Sequence, residues 1–388
     1  MKVVLTGGGS GGHITPLLAV AHEIRKLDPS AKIFYVGQRG DALLDIPAKD
    51  SNIDSVYSVR SGKFRRYHGV NVLKQLFDIP TDLKNLRDFI WVIVGVIQSW
   101  FLLRKIRPNI ILTSGGFVGV PVGIAASSLK IPYITHDLDG VPGLANRLIS
   151  RRAAAHAVAL PKENYNYPAA NTYTVGVPVS AKFTTVGKSE QKKFKEELGV
   201  SKFNKMLFIT GGGLGAKNLN AQFISIIHKL LDRYNDLVII HGAGRANEDH
   251  VRKQYNATIS DDETNRVIVK GFIEDLYRYS GAADVVVSRA GATAIAEFAI
   301  QGRACVIIPN PLLTNGHQIK NAEALRKMSA AIILSENEIS KDENKLLDTI
   351  CQLLESPESR EQISDAISKI SHPNSAHDLA KILINIAS

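Results

Sequence analysis

The chain has 388 residues, 45% of them hydrophobic and 22% charged. That size suits two or three domains, and the composition excludes a mainly disordered, collagen-like or low-complexity protein. Its two cysteines, Cys305 and Cys351, lack partners at metal-ligand spacing, which argues against a disulfide framework or a cysteine zinc site and suits a reducing cytoplasm. The net charge of +10 is uneven: residues 1–180 hold 21 Lys/Arg against 12 Asp/Glu, and residues 181–388 hold 26 against 25. A basic half could serve nucleic acid, but no helix-turn-helix, zinc-finger or RRM-type motif accompanies it, so no nucleic-acid partner is expected.

In chain order, residues 3–6 read as a buried strand that ends in glycines, too early to leave room for a signal peptide. Residues 16–27 carry apolar side chains at helical spacing, and residues 33–36 are strand-like. A basic cluster, Lys63, Arg65 and Arg66, sits beside Phe64 and Tyr67. The longest apolar run, 89–103, is bracketed by Lys84 and Arg87 before it and Arg104, Lys105 and Arg107 after it. It falls short of the roughly 18–20 residues needed to span a bilayer, so an integral membrane protein is not expected. Two readings stay open for this run: an interfacial helix rimmed by cations, or a buried helix with solvated ends.

Strand 110–113, helix 120–129 and strand 133–135 continue a βαβ pattern. The stretch 165–193, with Pro168, Gly176 and Pro178, reads as a linker. The pattern then restarts with strand 205–210, helix 219–231, and strands 237–241, 267–270, 285–288 and 304–309, and closes with a short helix over 378–386. The expected fold class is α/β, with two tandem Rossmann-like, doubly wound parallel-sheet domains and a cleft between them. The expected boundaries are 1–178, 179–370 and a C-terminal helix in 371–388 that returns to the first domain.

Four strands end in glycine turns: Gly7-Gly8-Gly9-Ser10-Gly11-Gly12-His13, Gly115-Gly116-Phe117-Val118-Gly119, Gly211-Gly212-Gly213-Leu214-Gly215, and Ser288-Arg289-Ala290-Gly291-Ala292-Thr293. In open parallel sheets ligands bind beyond the carboxyl ends of the strands, and glycine lets backbone N–H groups approach an anion at a helix start. The first turn lacks the ending of a P-loop and the spacing of a dinucleotide fingerprint. His13 closes it, as a general base or as a structural histidine. Glu297, six residues past Gly291, could accept two hydrogen bonds from a vicinal diol or sit on a solvated helix face. Asn315, His317, Gln318 and Asn321 can both donate to and accept from sugar hydroxyls. Asp137-Leu138-Asp139 matches a three-residue metal pattern too short to be specific, and no metal is assigned.

Taken together, these residues resemble the MurG family of inverting, two-domain GT-B glycosyltransferases. The resemblance spans nearly the whole chain. It rests on Gly8 to His13, on Gly115-Gly116-Phe117-Val118-Gly119-Val120-Pro121, on His136 through Asn146, and on Gly211-Gly212-Gly213-Leu214-Gly215-Ala216. The sequence from Ala283 to Ala292, then Glu297, Pro309 and His317-Gln318-Ile319-Lys320-Asn321-Ala322, completes it. It implies transfer of N-acetylglucosamine from UDP-GlcNAc to the 4-hydroxyl of N-acetylmuramic acid in undecaprenyl-linked lipid I, giving β-1,4-linked lipid II.

The resemblance also implies roles for residues. His13 is the base; Ser10, Gly11, Gly12, Gly115, Gly116 and Asp139 lie toward the acceptor and its diphosphate. Ile273 lies beside uracil and Glu297 holds the ribose. Gly213, Ala292, Thr293 and Ala294 face the donor diphosphate and sugar, and Gln318 and Asn321 the GlcNAc. It implies no cofactor and no metal. The expected partners are UDP-GlcNAc, lipid I, the cytoplasmic leaflet of the cell membrane, where the enzyme would be peripheral, and cell-wall synthesis proteins.

The chain departs from the family at His136-Asp137-Leu138-Asp139, where His-Glu-Gln-Asn is usual, at Gly213 in place of Ser, and at Ser180 in place of Arg. A carboxylate at 137 or 139 would repel a diphosphate unless protonated or paired. These departures leave three alternatives: a GT-B enzyme with another UDP-sugar or lipid acceptor, a UDP-sugar epimerase, and a non-catalytic nucleotide-sugar binder.

Overall fold

The structure, a computed structural model, describes residues 1–62, 79–213, 215–312 and 316–388, with the backbone alone over 79–83. The basic cluster at Lys63, Arg65 and Arg66 with Phe64 and Tyr67, and Asn315, lie outside the described residues, as does Leu214. The chain divides into two units, Met1–Ser180 with His372–Ser388, and Ala181–Ser371.

The first unit holds β1 (Lys2–Thr6), β2 (Lys32–Gln38), β3 (Ser55–Val59), β4 (Ile110–Thr113), β5 (Tyr133–Asp137), β6 (Ala155–Val158) and β7 (Thr172–Thr174). They form one parallel sheet in the order β3-β2-β1-β4-β5-β6-β7. Successive residues of a strand face opposite sides. Val3 and Leu5 therefore join Ile33, Tyr35, Ile110 and Leu112 in one core, while Val4 joins Val36, Ile111 and Tyr133 in the other. Both faces are covered, which explains the near-continuous apolar runs.

The stretch 165–193 is more ordered than its polar composition predicts. It contains β7, and Tyr165 is buried with its hydroxyl donating to the Asp139 carbonyl at 2.8 Å. The helix Ser375–Ala387 packs on the helix Gly11–Leu27, placing Leu379, Ala380 and Leu383 in one core with Ile14, Leu17, Val20 and Ile24. The Ser375 hydroxyl donates to the Val175 carbonyl at 2.6 Å, and His377 meets Glu23 at 3.1 Å. Each fully buried leucine contributes roughly 1.5–3 kcal/mol, more than those polar contacts.

The apolar run at 89–103 belongs to a longer helix than the sequence predicts, Ile79–Ile106. Its stretch Lys84–Ile106, 23 residues, is long and apolar enough to cross a membrane by length and composition, which corrects the expectation that the run is too short. One face is held by the first unit: Asp88, Val92, Ser99, Leu103 and Ile106 are buried. The backbones approach so closely that a Cβ on Gly95 would stand 1.9 Å from the Arg60 carbonyl oxygen, and one on Gly62 2.0 Å from that of Asp88. The opposite face exposes Leu86, Phe89, Ile90, Ile93, Ile97 and Phe101, one stripe at helical spacing.

The second unit holds β8 (Lys205–Thr210), β9 (Leu237–Gly242), β10 (Val267–Lys270), β11 (Val285–Ser288), β12 (Cys305–Ile307) and β13 (Ile332–Ile333). Their parallel order is β10-β9-β8-β11-β12-β13. Leu207 and Ile209 face a core with Phe223, Ile239 and Val287, and Met206 and Phe208 face another with Ile240, Phe298 and Ile307.

The sheet order reverses between β1 and β4 in the first unit and between β8 and β11 in the second. Such switch points open a crevice beyond the carboxyl ends of the two strands. The four glycine turns follow these four strands.

Candidate active site

At the first switch point the two glycine turns interlock through backbone. Gly116 has φ +74, which only glycine adopts freely, and a Cβ there would stand 2.6 Å from the Gly8 carbonyl oxygen. The Ser114 hydroxyl, just after β4, donates to the His13 carbonyl at 2.7 Å. Ser10, Gly11, Gly12, His13, Gly115 and Gly116 are thereby gathered on one edge. The helix begins at Gly11, earlier than the spacing predicts, so His13 lies in its first turn, its N–H donating to the Ser10 carbonyl at 3.1 Å. Pro16 is inside the helix rather than at its start.

Two residues that sequence reasoning missed brace this loop. The Asp41 carboxylate accepts from Gly9 N–H at 2.9 Å and from Leu43 N–H at 3.0 Å. The buried Tyr35 hydroxyl donates to the Gly7 carbonyl at 2.8 Å. The one available signal was the Gly40-Asp41 pair just past the second strand.

Beyond β5 the structure separates the two aspartates. Asp137 is buried, and its carboxylate accepts from Gly143 N–H at 2.9 Å, the Asn146 amide at 2.9 Å and the Tyr167 hydroxyl at 2.7 Å. Burial pushes its pKa up, and these bonds oppose the shift. This carboxyl therefore staples the 137–146 loop and is spent on it. Asp139 is half-buried, its carbonyl held by Tyr165. His136, at the end of β5, is fully buried with Nε2 against the Gly176 carbonyl at 3.0 Å. Burial pushes its pKa down to about 4, and the nearby His13 adds to the shift, so it is a neutral imidazole.

At the second switch point, the helix Ala292–Gln301 starts from Gly291 with no side-chain cap and no acidic residue in its first turn. Ala292, Thr293 and Ala294 form that turn, whose N–H groups make an anion-favouring end. Glu297 is buried on this helix, and desolvation raises its pKa to about 8. Among the described residues no hydrogen bond or ion pair to its carboxyl is formed. The Asn321 amide donates to the Ala290 carbonyl at 3.1 Å, which ties the helix His317–Lys327 to the same turn. The Gln318 carbonyl oxygen accepts from Asn310 N–H at 2.9 Å, so that oxygen serves the loop.

At the end of β9, the Ile273 side chain covers Gly242, whose added Cβ would meet Ile273 Cδ1 at 3.2 Å. A Cβ on Gly213 would meet the Phe272 ring at 3.4 Å. Buried Arg289 and half-buried Glu336 form an ion pair, with Arg289 also donating to the Ile308 carbonyl at 3.1 Å and Asn218 donating to Glu336 at 3.3 Å. This clamp, which sequence reasoning missed, joins the ends of β11 and β12 to the helix after the second-unit glycine loop. Among the described residues, no three His, Cys, Asp or Glu side chains gather as a metal ion would need.

The family models for the glycosyltransferase family 28 N-terminal and C-terminal domains match residues 3–158 and 206–380. Over 385 residues the chain is 32% identical to a UDP-N-acetylglucosamine–N-acetylmuramyl-(pentapeptide) pyrophosphoryl-undecaprenol N-acetylglucosamine transferase of Natranaerobius thermophilus, with 99% of each chain covered. The chain belongs to this glycosyltransferase family. MurG of Acinetobacter baumannii shares the GT-B fold, with a TM-score of 0.67 at 23% identity and 99% of both chains covered. UDP-GlcNAc 2-epimerase from Neisseria meningitidis, solved bound to UDP-GlcNAc, gives 0.65 at 14% identity, covering 99% of this chain and 100% of its own. The fold is thus common to transferases and epimerases, and the full-length sequence match to the N-acetylglucosaminyltransferases separates them.

Proposed function

We propose that this transferase-family member moves GlcNAc from UDP-GlcNAc to the 4-hydroxyl of MurNAc in lipid I, forming lipid II for peptidoglycan. The full-length similarity to the named transferases carries this reading, and the chemistry at the two switch points supports it. His13 takes the proton of the acceptor hydroxyl, whose oxygen attacks the anomeric carbon from the face opposite UDP. The bond from that carbon to the β-phosphate oxygen breaks as the new one forms, and its electron pair leaves with UDP, inverting the centre. The uncapped start of Ala292–Gln301 stabilises the leaving diphosphate by backbone N–H groups. Glu297, buried and without a protein hydrogen bond among the described residues, accepts from the ribose hydroxyls, with Ile273 beside uracil and Gln318 and Asn321 on the GlcNAc side.

We also infer that the helix Ile79–Ile106 lies in the headgroup plane of the cytoplasmic leaflet. Its buried face is locked to the first unit, so lipid cannot surround it. Its exposed stripe is flanked by exposed Lys84, Arg87, Arg104, Lys105 and Arg107, which can reach anionic headgroups. Wild-type protein should sediment with anionic vesicles at low salt and release at high salt, and a charge at Ile97 or Phe101 should abolish sedimentation. Absence of binding at low salt contradicts the inference.

The reaction is tested by incubating labelled UDP-sugars with a short-chain lipid I analogue. Disaccharide-lipid product from UDP-GlcNAc alone is expected. UDP binding without product would move the assignment to another sugar or acceptor. Conversion of UDP-GlcNAc to an epimer without acceptor would identify an epimerase.

A further inference from the structure

Two tyrosines from the segment after β6 hold the two aspartates at the end of β5. Tyr165 is extended, with φ −121 and ψ 140, and the Tyr165 and Tyr167 rings lie parallel, 6.3 Å between centroids and 6° between planes. The Tyr165 hydroxyl donates to the Asp139 carbonyl at 2.8 Å, and the Tyr167 hydroxyl to the Asp137 carboxylate at 2.7 Å. The Tyr167 ring is fixed in turn by His156, on which it stacks at 4.0 Å with 7° between planes. His156 pairs with Thr135 across β5 and β6, and its Nδ1 meets the Thr135 hydroxyl at 2.7 Å. Strand register therefore sets where the Tyr167 hydroxyl arrives. Neither tyrosine belongs to the motifs that carry the family resemblance, and both hold the segment where this chain departs from the family.

The two oxygens of the Asp137 carboxylate are held differently. Oδ1 accepts from Gly143 N–H and from the Asn146 amide, both at 2.9 Å. Oδ2 accepts from Tyr167, its one donor among the described residues. The Asn146 amide donates to this carboxylate and to the His136 carbonyl, also at 2.9 Å, which fixes the way the amide faces. Its oxygen is thereby turned toward the first switch point, where a Cβ on Gly115 would meet Asn146 Oδ1 at 3.4 Å. At the other end of the loop, His136 stands near His13. A buried carboxylate oxygen stripped of its donor is costly, so the Tyr167 hydroxyl biases the loop toward this one arrangement.

We propose that Tyr167 is a positioning residue for the lipid-linked acceptor: through Asp137 it holds the 137–146 loop against the Gly115 turn in the arrangement that receives that acceptor. The inference rests on the reading of the first unit as the acceptor-binding unit and adds a residue outside the motifs of that reading. Tyr167 acts through Asp137 and not on the reacting atoms. Its hydrogen bond sets the fraction of molecules whose loop is ready before binding, and apparent affinity falls in proportion to that fraction. Once acceptor saturates the site, the ligand itself holds the loop, and turnover is unaffected.

The experiment compares wild-type protein with Tyr167→Phe, which keeps the ring on His156 and removes only the hydroxyl. Initial rates of transfer to a short-chain lipid I analogue are measured at saturating UDP-GlcNAc, and UDP binding by calorimetry. The acceptor KM should rise about tenfold, the order expected for one hydrogen bond to a charged group, with kcat and the UDP dissociation constant within about twofold of wild type. Asp137→Ala should raise the KM at least as much, and adding Tyr167→Phe to it should change the KM less than about twofold, because both act on one contact. An unchanged KM in Tyr167→Phe overturns the proposal. So does a fall in kcat at constant KM, which is all that a smaller folded fraction would give, and so does weakened UDP binding. A KM effect of Tyr167→Phe that persists in full on Asp137→Ala overturns the route through Asp137. Transfer by wild type with no KM change in Tyr167→Phe refutes this inference alone; a wild-type protein that binds UDP but transfers nothing to the analogue refutes the acceptor reading beneath it.

Discussion

The two switch points solve the same problem with different materials. At the first, glycine turns interlock by backbone, Gly116 against Gly8, and the histidine buried beside His13 is neutral. At the second, the backbone turn is accompanied by ionisable side chains: a buried carboxyl at Glu297 and an ion pair between Arg289 and Glu336. The first environment, where the Asp41 carboxylate is engaged by the Gly9 and Leu43 N–H groups and Asp137 by three donors, suits the proton transfer proposed for His13. The second suits recognition of a ligand with a diol at one end and a diphosphate at the other.

The largest expected effect that separates them concerns Glu297. Its native pKa of about 8 lies above the ordinary value of 4.5. Between these pH values the native state binds a proton that the unfolded state has released, so stability falls as pH rises through that window. The full fall amounts to roughly 5 kcal/mol. Glu297→Gln should flatten this part of the stability profile, measured by urea unfolding at pH 5 and pH 8.5. In the role proposed for Glu297, UDP affinity is expected to depend on pH as well. Only the ionised carboxylate accepts both ribose hydroxyls, so affinity should rise by up to about tenfold per pH unit below 8 and level off above it. Calorimetry across pH 6–9 checks this, and a profile as steep in Glu297→Gln would contradict the assignment.

A smaller contrast lies between glycines. Gly116→Ala must relieve both a left-handed φ and the clash with the Gly8 carbonyl, and should cost about 2–3 kcal/mol with a parallel loss of turnover. Gly213→Ala meets only the Phe272 ring at 3.4 Å and should stay within about 0.5 kcal/mol. Thermal unfolding of both variants measures the difference. Equal losses would mean that the turns are not built as differently as described.

The strands that carry the site were legible because each is an apolar run buried on both faces that stops at a cluster of glycines. The residues that brace the turns were not. Asp41 reaches Gly9 across 32 residues of sequence, and Glu336 reaches Arg289 across 47. Local pattern does not encode such pairings. Polar composition also misled at Tyr165, which reads as linker but packs inward. The length of Ile79–Ile106 was hidden because its first turns are polar, so only the apolar centre stood out as a run. Asp137 was read as a charge facing ligand, whereas Gly143, Asn146 and the more distant Tyr167 turn it inward.

The division of labour between the two units is tested most directly in His13→Ala, by measuring UDP affinity and single-turnover transfer to a lipid I analogue in the same preparation. The account predicts a transfer rate lower by about 10²–10⁴-fold, the usual worth of a general base, with the UDP dissociation constant within twofold of wild type. An undiminished rate, or a loss of UDP affinity matching the loss of rate, would contradict it.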